Sequence, residues 1–470
     1  MLEKINHKSA PKEVVKALVT LYHQGKFDDV LSRSSQLIEE YPHTFVLHNI
    51  IGAISFEKGQ KEVAIEHFRK VIELRPHHPH AYNNLGAALI DIGEYEEAKS
   101  NLKKAIELQP DYAEAYNNLG NVYKEMEEYN QAISVYEKAI ELNPEYYEAY
   151  NNLGIAFKDK DKLEEAVDVY SKVLSIKPDY AEAYYNMGVT LQDQGKLEEA
   201  IESYKKAISI KPDYDEAYFN IGVGLQDKGN LEESIQAYNS TIEINPNYAD
   251  AFYNKGNALK QLGNLEEAIK AYNNALFINP NDAEVYCNMG IVLNQQGKLE
   301  ESIDAYNKAL SIKPSFVKVL NNMGNTLAEQ KKLEEALDAY DRALNINPNY
   351  YEAYKNSLKL LKCYYPKKPK NHVLFVTNNK VKKNCSKLIL SEEDYEIADI
   401  LINAFDNMAE DSFFYRTPSS QIFKYNSKDL NCNRHMDIFE TKNIIPEFCF
   451  GCFKVQTEVN NFFDLIRLTK

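Results

Sequence analysis

Residues 113–146 read AEAYNNLGNVYKEMEEYNQAISVYEKAIELNPEY. Tyr116, Leu119, Gly120 and Tyr123 recur at helical spacing and predict the apolar stripe of a first helix. Tyr129, Ala132, Tyr136 and Ala139 predict a second one. Gly120 and Ala132 are small, which lets the two helices approach closely. Pro144 ends the second helix, because proline has no N–H and its ring clashes in a helix interior. Around this stretch, Asp111 with Glu114, Asp179 with Glu182 and Asp213 with Glu216 are spaced as capping boxes, with Asp in place of Ser or Thr.

Outward from here the pattern repeats. Proline recurs every 34 residues at 42, 76, 110, 144, 178, 212, 246, 280, 314 and 348. Glycine follows the same comb at 52, 86, 120, 154, 188, 222, 256, 290 and 324. A helix pair repeated at this period resembles the tetratricopeptide repeat (TPR) family, with repeats at 11–44, 45–78, 79–112, 113–146, 147–180, 181–214, 215–248, 249–282, 283–316 and 317–350. The resemblance implies an all-α solenoid, a right-handed TPR superhelix whose first helices line the concave surface. The first two repeats depart most: Leu18 replaces the small residue, Ser34 an aromatic and Ser55 another large residue. End units are expected to be atypical, since each lacks one neighbour. Residues 351–364 begin like a further first helix, but Ser357 and Leu358 replace a large apolar residue and glycine, which predicts a capping helix. Residues 1–10 read as an N-terminal tail and 365–370 as a basic linker.

The chain has 470 residues, 26% of them charged and 44% hydrophobic, as in an ordinary folded protein. Its net charge is −16, nearly all of it in residues 1–370, and an acidic surface repels phosphate, so nucleic acid is not an expected partner. No apolar run is long enough to span a membrane, and the polar start from Met1 to Ala10 lacks the apolar core of a secretory signal. Cys287 stands alone in the repeats, while Cys363, Cys385, Cys432, Cys449 and Cys452 lie beyond them. That is no secreted disulfide framework, and the expected setting is cytoplasmic.

One position is asparagine in nine successive first helices: Asn84, Asn118, Asn152, Asn186, Asn220, Asn254, Asn288, Asn322 and Asn356. Asparagine is a mediocre helix former, so helix propensity does not select it there. Its amide offers both donor and acceptor, which matches the backbone of an extended peptide. The ladder resembles that in the TPR superhelix of O-linked N-acetylglucosamine transferases, and the resemblance implies sequence-tolerant polypeptide binding in the groove. The alternative is that these amides bond to a neighbouring turn and merely join the repeats. Acids cluster at both ends of the first helices: Glu114, Glu148, Glu182, Glu216, Asp250, Glu284 and Glu352 near the starts, and Asp91, Glu125, Asp159, Asp193 and Asp227 near the ends. On the groove side they would favour basic segments; otherwise they are a solvated face. Tyr185, Phe219 and Tyr253 precede ladder residues and could stack on a guest. Lysine–asparagine pairs that clamp a C-terminal carboxylate are not evident at neighbouring positions.

Residues 371–470 lose the period and read as a small α+β domain: strands at 372–377, 421–425 and 453–459, and helices at 391–405 and 461–468. Cys432-x-x-His435 and, 13 residues on, Cys449-x-x-Cys452 could form a zinc site. Buried cysteines on an apolar strand, flanked by Phe448, Phe450 and Phe453, are the other reading, and then no cofactor is needed. His435-Met436-Asp437 has no later histidine to complete an iron triad. His77, His78 and His80 sit at a turn between repeats, as an adventitious metal site or a solvated loop. No phosphate-binding or nucleophile motif appears, and a hundred residues are too few for a glycosyltransferase catalytic region. The expected function is therefore a non-enzymatic scaffold that binds polypeptide. Its rivals are a substrate-recruiting subunit of a protein-modifying system, and self-assembly in which the groove receives another copy's tail.

Overall fold

The computed structural model describes residues 9–347 and 350–364 and the strands Val373–Val376, Ser386–Ile389, Ser412–Arg416 and Ile422–Asn426. Two units divide at residue 244. The first, Met1–Ile244, holds seven helix pairs, from Lys12–His23 with Phe27–Glu40 to Asp215–Asp227 with Leu231–Ile244. The second, Asn245–Lys470, holds three pairs between Ala249 and Ile346, then the single helix Tyr351–Tyr364 and the strands.

Each pair is built alike. The helix Ala113–Glu125 turns through Met126–Glu128 into Tyr129–Leu142. Glu127 takes φ 58°, and the Glu128 N–H reaches back to the Tyr123 carbonyl at 2.8 Å, closing the helix end by a Schellman-type bond. Seven other repeats place glycine there (Gly25, Gly59, Gly93, Gly195, Gly229, Gly263, Gly297), where a left-handed backbone costs nothing. The second helix stops at Leu142, two residues before Pro144.

The comb of helical glycines has a direct steric cause. A Cβ placed on Gly120 would lie 2.4 Å from Cε1 of Tyr136, and the same clash recurs from Gly154 with Tyr170 to Gly324 with Tyr340. Glycine thus lets the tyrosine of the second helix lie flat against the first helix. These tyrosines are fully buried, and burial carries their hydroxyl pKa far upward. Most hydroxyls donate back to the first helix, as Tyr136 does to Asn121 Oδ1 at 2.7 Å and Tyr340 to Asn325 Oδ1 at 2.6 Å. The Tyr170 hydroxyl finds no acceptor on its own first helix, since Ile155 stands where Asn121 does and Lys158 where Gln192 serves Tyr204; Thr190 of the next repeat lies beside it. In the first repeat the sizes are exchanged: buried Leu18 takes the glycine position and buried Ser34 the aromatic one.

Within each unit the first helices of successive repeats touch: Ala113–Glu125 meets both Pro79–Ile90 and Tyr147–Asp159, and Ala283–Gln295 meets both Ala249–Gln261 and Val317–Glu329. The second helices of successive repeats approach one another much less. Each unit therefore curves toward its first helices, and these form its inner face.

The capping boxes are not formed. The N-cap residues of the three helices are Tyr112, Tyr180 and Tyr214, with no side-chain cap bond, and Asp111, Asp179 and Asp213 lie one residue too early. The cap position is held by a ring packed between repeats, as Tyr112 is against Ala105 and Ala115, so burial outweighs a bond worth about 1 kcal/mol. Asp282 is the exception: it caps Ala283–Gln295 by accepting from the N–H groups of Glu284 and Val285 at 2.9 and 3.1 Å.

The helix Tyr351–Tyr364 stands at the predicted cap, with Ser357 buried. Beyond it, Val373–Val376 pairs antiparallel with Ser386–Ile389, and Ser412–Arg416 with Ile422–Asn426. The helices expected at 391–405 and 461–468, the strand at 453–459, the linker 365–370 and the tail 1–8 lie outside the described residues.

Candidate functional site

The first helices of each unit carry the asparagine ladder. Asn84, Asn118, Asn152, Asn186 and Asn220 belong to the first unit and Asn254, Asn288, Asn322 and Asn356 to the second. All are half-buried except Asn288, which is 7% exposed.

Six of the nine amides reach back toward the preceding repeat; Asn84, Asn254 and Asn322 show no such bond among the described residues. Asn118 Nδ2 donates to Asn83 Oδ1 at 2.9 Å, Asn152 to Asn117 at 2.9 Å, Asn186 to Asn151 at 3.1 Å and Asn356 to Asn321 at 3.0 Å. Where the residue 35 positions earlier is tyrosine, its hydroxyl accepts instead: Asn220 to Tyr185 at 3.2 Å and Asn288 to Tyr253 at 2.8 Å. The partners Asn83, Asn117, Asn151 and Asn321 are buried. Sequence reasoning passed over this second row, although the doublets Asn83-Asn84, Asn117-Asn118, Asn151-Asn152 and Asn321-Asn322 display it.

An asparagine amide has two N–H groups and an oxygen with two lone pairs. The inter-repeat bond takes one N–H. It fixes the amide's orientation and leaves the second N–H and the oxygen. Asn288 is engaged further, because Lys260 Nζ donates to its oxygen at 3.3 Å.

Tyr185, Phe219 and Tyr253 lie on the same first helices, and each has a ring neighbour within its own repeat: Tyr204 at 5.8 Å, Tyr238 at 5.9 Å and Tyr272 at 6.2 Å between centroids. Several acids also have partners. Glu182 accepts from Asn151 Nδ2 at 3.1 Å and from the Tyr180 hydroxyl at 2.9 Å, Asp91 lies 3.2 Å from Lys61, and Glu125 lies 3.0 Å from Lys124. Glu216 is hydrogen-bonded to Asp215, and that carboxyl contact with burial raises its pKa.

His80 Nδ1 lies 2.7 Å from the Tyr112 hydroxyl, and His78 Nδ1 is buried without a partner. Among the described residues no three of His, Cys, Asp and Glu are grouped to hold a metal ion, the cluster at 77–80 included. Cys432, His435, Cys449 and Cys452 lie outside the described residues. No described helix is long and apolar enough to cross a membrane.

Helix pairs of constant length, stacked so that one helix of each pair forms an inner face, define a helical-repeat scaffold. Tetratricopeptide repeat models match residues 78–145, 135–168, 181–214, 283–316 and 317–350, and a TPR repeat model matches 52–93, 156–195, 225–263 and 256–294. The chain belongs to the tetratricopeptide repeat family. Among solved structures it is similar to YrrB, described as a TPR protein with an unusual peptide-binding site, at 24% identity over 40% of this chain and 97% of that one (TM-score 0.37). It is also similar to MamA at 24% identity over 40% and 96% (TM-score 0.35). A third likeness is to pilF of Pseudomonas aeruginosa, at 20% identity over 45% and 97% (TM-score 0.40). No curated protein matches the chain.

Proposed function

We propose that the chain is a scaffold or adaptor that binds extended polypeptide along the inner, first-helix face of its repeats. The right-handed superhelix and the small α+β C-terminal domain read from the sequence belong to this proposal, as does a cytoplasmic setting. The observation that carries it is the one-sided engagement of the ladder. Each reach-back bond holds an amide in place while a second N–H and the oxygen remain to meet a guest backbone. Amides fixed in advance lose little freedom when a guest arrives.

Magnitudes set the character of the binding. Each net hydrogen bond contributes about 0.5–1.5 kcal/mol. Ordering a guest residue costs about 1–2 kcal/mol of backbone entropy. The ladder alone therefore gives weak binding that slides in register, and selectivity comes from the side chains beside it. In the first unit these include Glu114, Glu148, Glu182, Glu216 and the adjoining Asp215, which favour basic segments.

The test compares wild type with Asn118→Ala/Asn152→Ala/Asn186→Ala on a peptide array and by fluorescence anisotropy. Each lost amide bond should weaken binding by about 2- to 12-fold. Unchanged affinity in a variant that melts like wild type would refute the role. In this reading the scaffold is not an enzyme and needs no cofactor. In the alternative, a substrate-recruiting subunit of a protein-modifying system, Cys432, His435, Cys449 and Cys452 would form a zinc site. Stoichiometric zinc, lost in Cys449→Ser, would favour that alternative.

A further inference from the structure

The second repeat departs from the others at two positions that meet in space. His48 lies on its first helix, Phe45–Glu57, and His67 on its second, Lys61–Leu74. Six later repeats carry tyrosine where His48 stands: Tyr82, Tyr116, Tyr150, Tyr184, Tyr218 and Tyr286. Where His67 stands, the next four carry Asn101, Val135, Val169 and Ser203. The packing of a helix pair therefore demands neither histidine. Yet the two Nδ1 atoms face each other at 3.0 Å, with ring centroids 5.1 Å apart.

The bond that orients His48 is the one tyrosine makes in the next repeat. Tyr82 donates its hydroxyl to the Pro76 carbonyl at 3.2 Å, and His48 Nε2 donates to the Pro42 carbonyl at 3.1 Å. With the proton held on Nε2, His48 Nδ1 presents a lone pair to His67. A ring nitrogen that donates to a backbone carbonyl while the other stays free is the usual state of a metal-ligating histidine. Burial, the largest influence on both rings, lowers their pKa values and keeps them neutral near pH 7, as ligands must be. Lys70, Glu66 and Glu73 are the charged side chains that act on the pair. Lys70 and Glu73 neutralise each other at 2.7 Å, while Glu66 has no ion pair among the described residues and is left to offset a cation. Zinc–nitrogen bonds of about 2.0–2.1 Å put two imidazole nitrogens about 2.9 Å apart at a right angle and about 3.3 Å apart at a tetrahedral one. The 3.0 Å between the two Nδ1 atoms falls in that interval.

We propose that His48 and His67 form a two-histidine site for a divalent transition-metal ion of the kind imidazole suits, zinc, copper or nickel, which clips the two helices of the second repeat together. Two protein ligands leave the remaining coordination positions to water. In the metal-free chain the proton between the two Nδ1 atoms takes the ion's place. On binding, that proton moves to Nε2 of His67, so both ligands stay neutral. The site is independent of peptide binding, and it lies near the end of the array where the repeats depart most from the common pattern.

The test follows hydrogen exchange of the full chain by mass spectrometry while zinc is added. Exchange in Phe45–Glu57 and Lys61–Leu74 should slow, by about 100-fold once free zinc stands about 100 times above the dissociation constant. His48→Tyr and His67→Asn each install the residue of the following repeat, so both variants should fold, and His48→Tyr keeps a donor for the Pro42 carbonyl. Each removes one of the two ligands and should abolish the zinc effect on these helices. His77→Asn/His80→Asn should leave the effect intact. Zinc held at the cysteines beyond the repeats would not slow these two helices, because repeats contact only their neighbours. No slowing in wild type, or slowing that survives both His48→Tyr and His67→Asn, overturns the site. Slowing that instead needs His77 and His80 assigns the ion to the turn between repeats and leaves the pair as a hydrogen bond alone.

Discussion

Replacing Gly120 by alanine tests the packing rule on which the array depends. The new Cβ would lie 2.4 Å from Cε1, 2.6 Å from Cδ1 and 2.7 Å from Cζ of Tyr136, whereas ordinary contacts begin at 3.4 Å. The ring must withdraw by about 1 Å, and little room exists: it is fully buried, and its hydroxyl is tied to Asn121 at 2.7 Å. Overpacking of this kind costs about 1–3 kcal/mol. Alanine in a helix interior returns roughly 0.5–1 kcal/mol over glycine, so the two effects compete and the sign is informative. With the ring held at both ends the clash should win, by about 1–2 kcal/mol net. Because repeats contact only their neighbours, the loss should be local. Hydrogen exchange should speed up about 5- to 30-fold in Ala113–Glu125 and Tyr129–Leu142 and stay unchanged in 249–347. Gly86→Ala, which meets the flexible leucine Leu102 at 2.6 Å rather than a ring, should do less harm. Slower exchange in Gly120→Ala, or faster exchange spread evenly over both units, would refute the reasoning.

Other outcomes follow from the same geometry. His48 Nε2 lies 3.1 Å from the Pro42 carbonyl and donates to it, and in the neutral pair His48 Nδ1 accepts from His67 Nδ1 at 3.0 Å. Burial lowers both pKa values, so the unfolded chain takes up protons as pH falls through about 6.5 while the folded pair resists. The denaturation midpoint of the first unit should therefore fall between pH 7.5 and 5.5, and His48→Asn/His67→Asn should flatten that slope; an equally steep slope in the double variant would count against the pair. Burial pushes the Cys287 thiol up to about 11, so alkylation at pH 8 should leave the native Cys287 peptide unmodified by mass spectrometry; rapid labelling would contradict the packing around it. Binding of a Lys-rich peptide should weaken steeply between about 50 and 200 mM salt. A flat response would remove the electrostatic preference of the first unit without touching the amide row.

The 34-residue combs carried most of the fold. Proline marked where each second helix stops, and glycine marked where a ring crosses a helix, because both depend on backbone chemistry that a single residue type satisfies. The helix starts were misread. Asp111, Asp179 and Asp213 had capping chemistry, but the position belonged to aromatic residues that bury area between repeats. The ladder was visible as a column, yet its partners were not, because neighbouring first helices align with an offset of 35 rather than 34. The same offset makes the Tyr185 and Tyr253 hydroxyls acceptors within the column, a role their spacing in the sequence does not reveal.

The exchanged sizes in the first repeat restrict how this gene can grow. From Gly120 to Gly324 every helical glycine of the comb meets a tyrosine, so a whole interior unit can be copied or lost by unequal crossing-over with each hole still finding its filler. A junction that joins the Ser34 helix to an interior first helix would set a hydroxymethyl group over a glycine and leave a void where a phenol ring belongs. The reverse junction would drive a tyrosine into Leu18. Length can therefore change in the middle of the array, while the N-terminal pair is inherited only as a matched set.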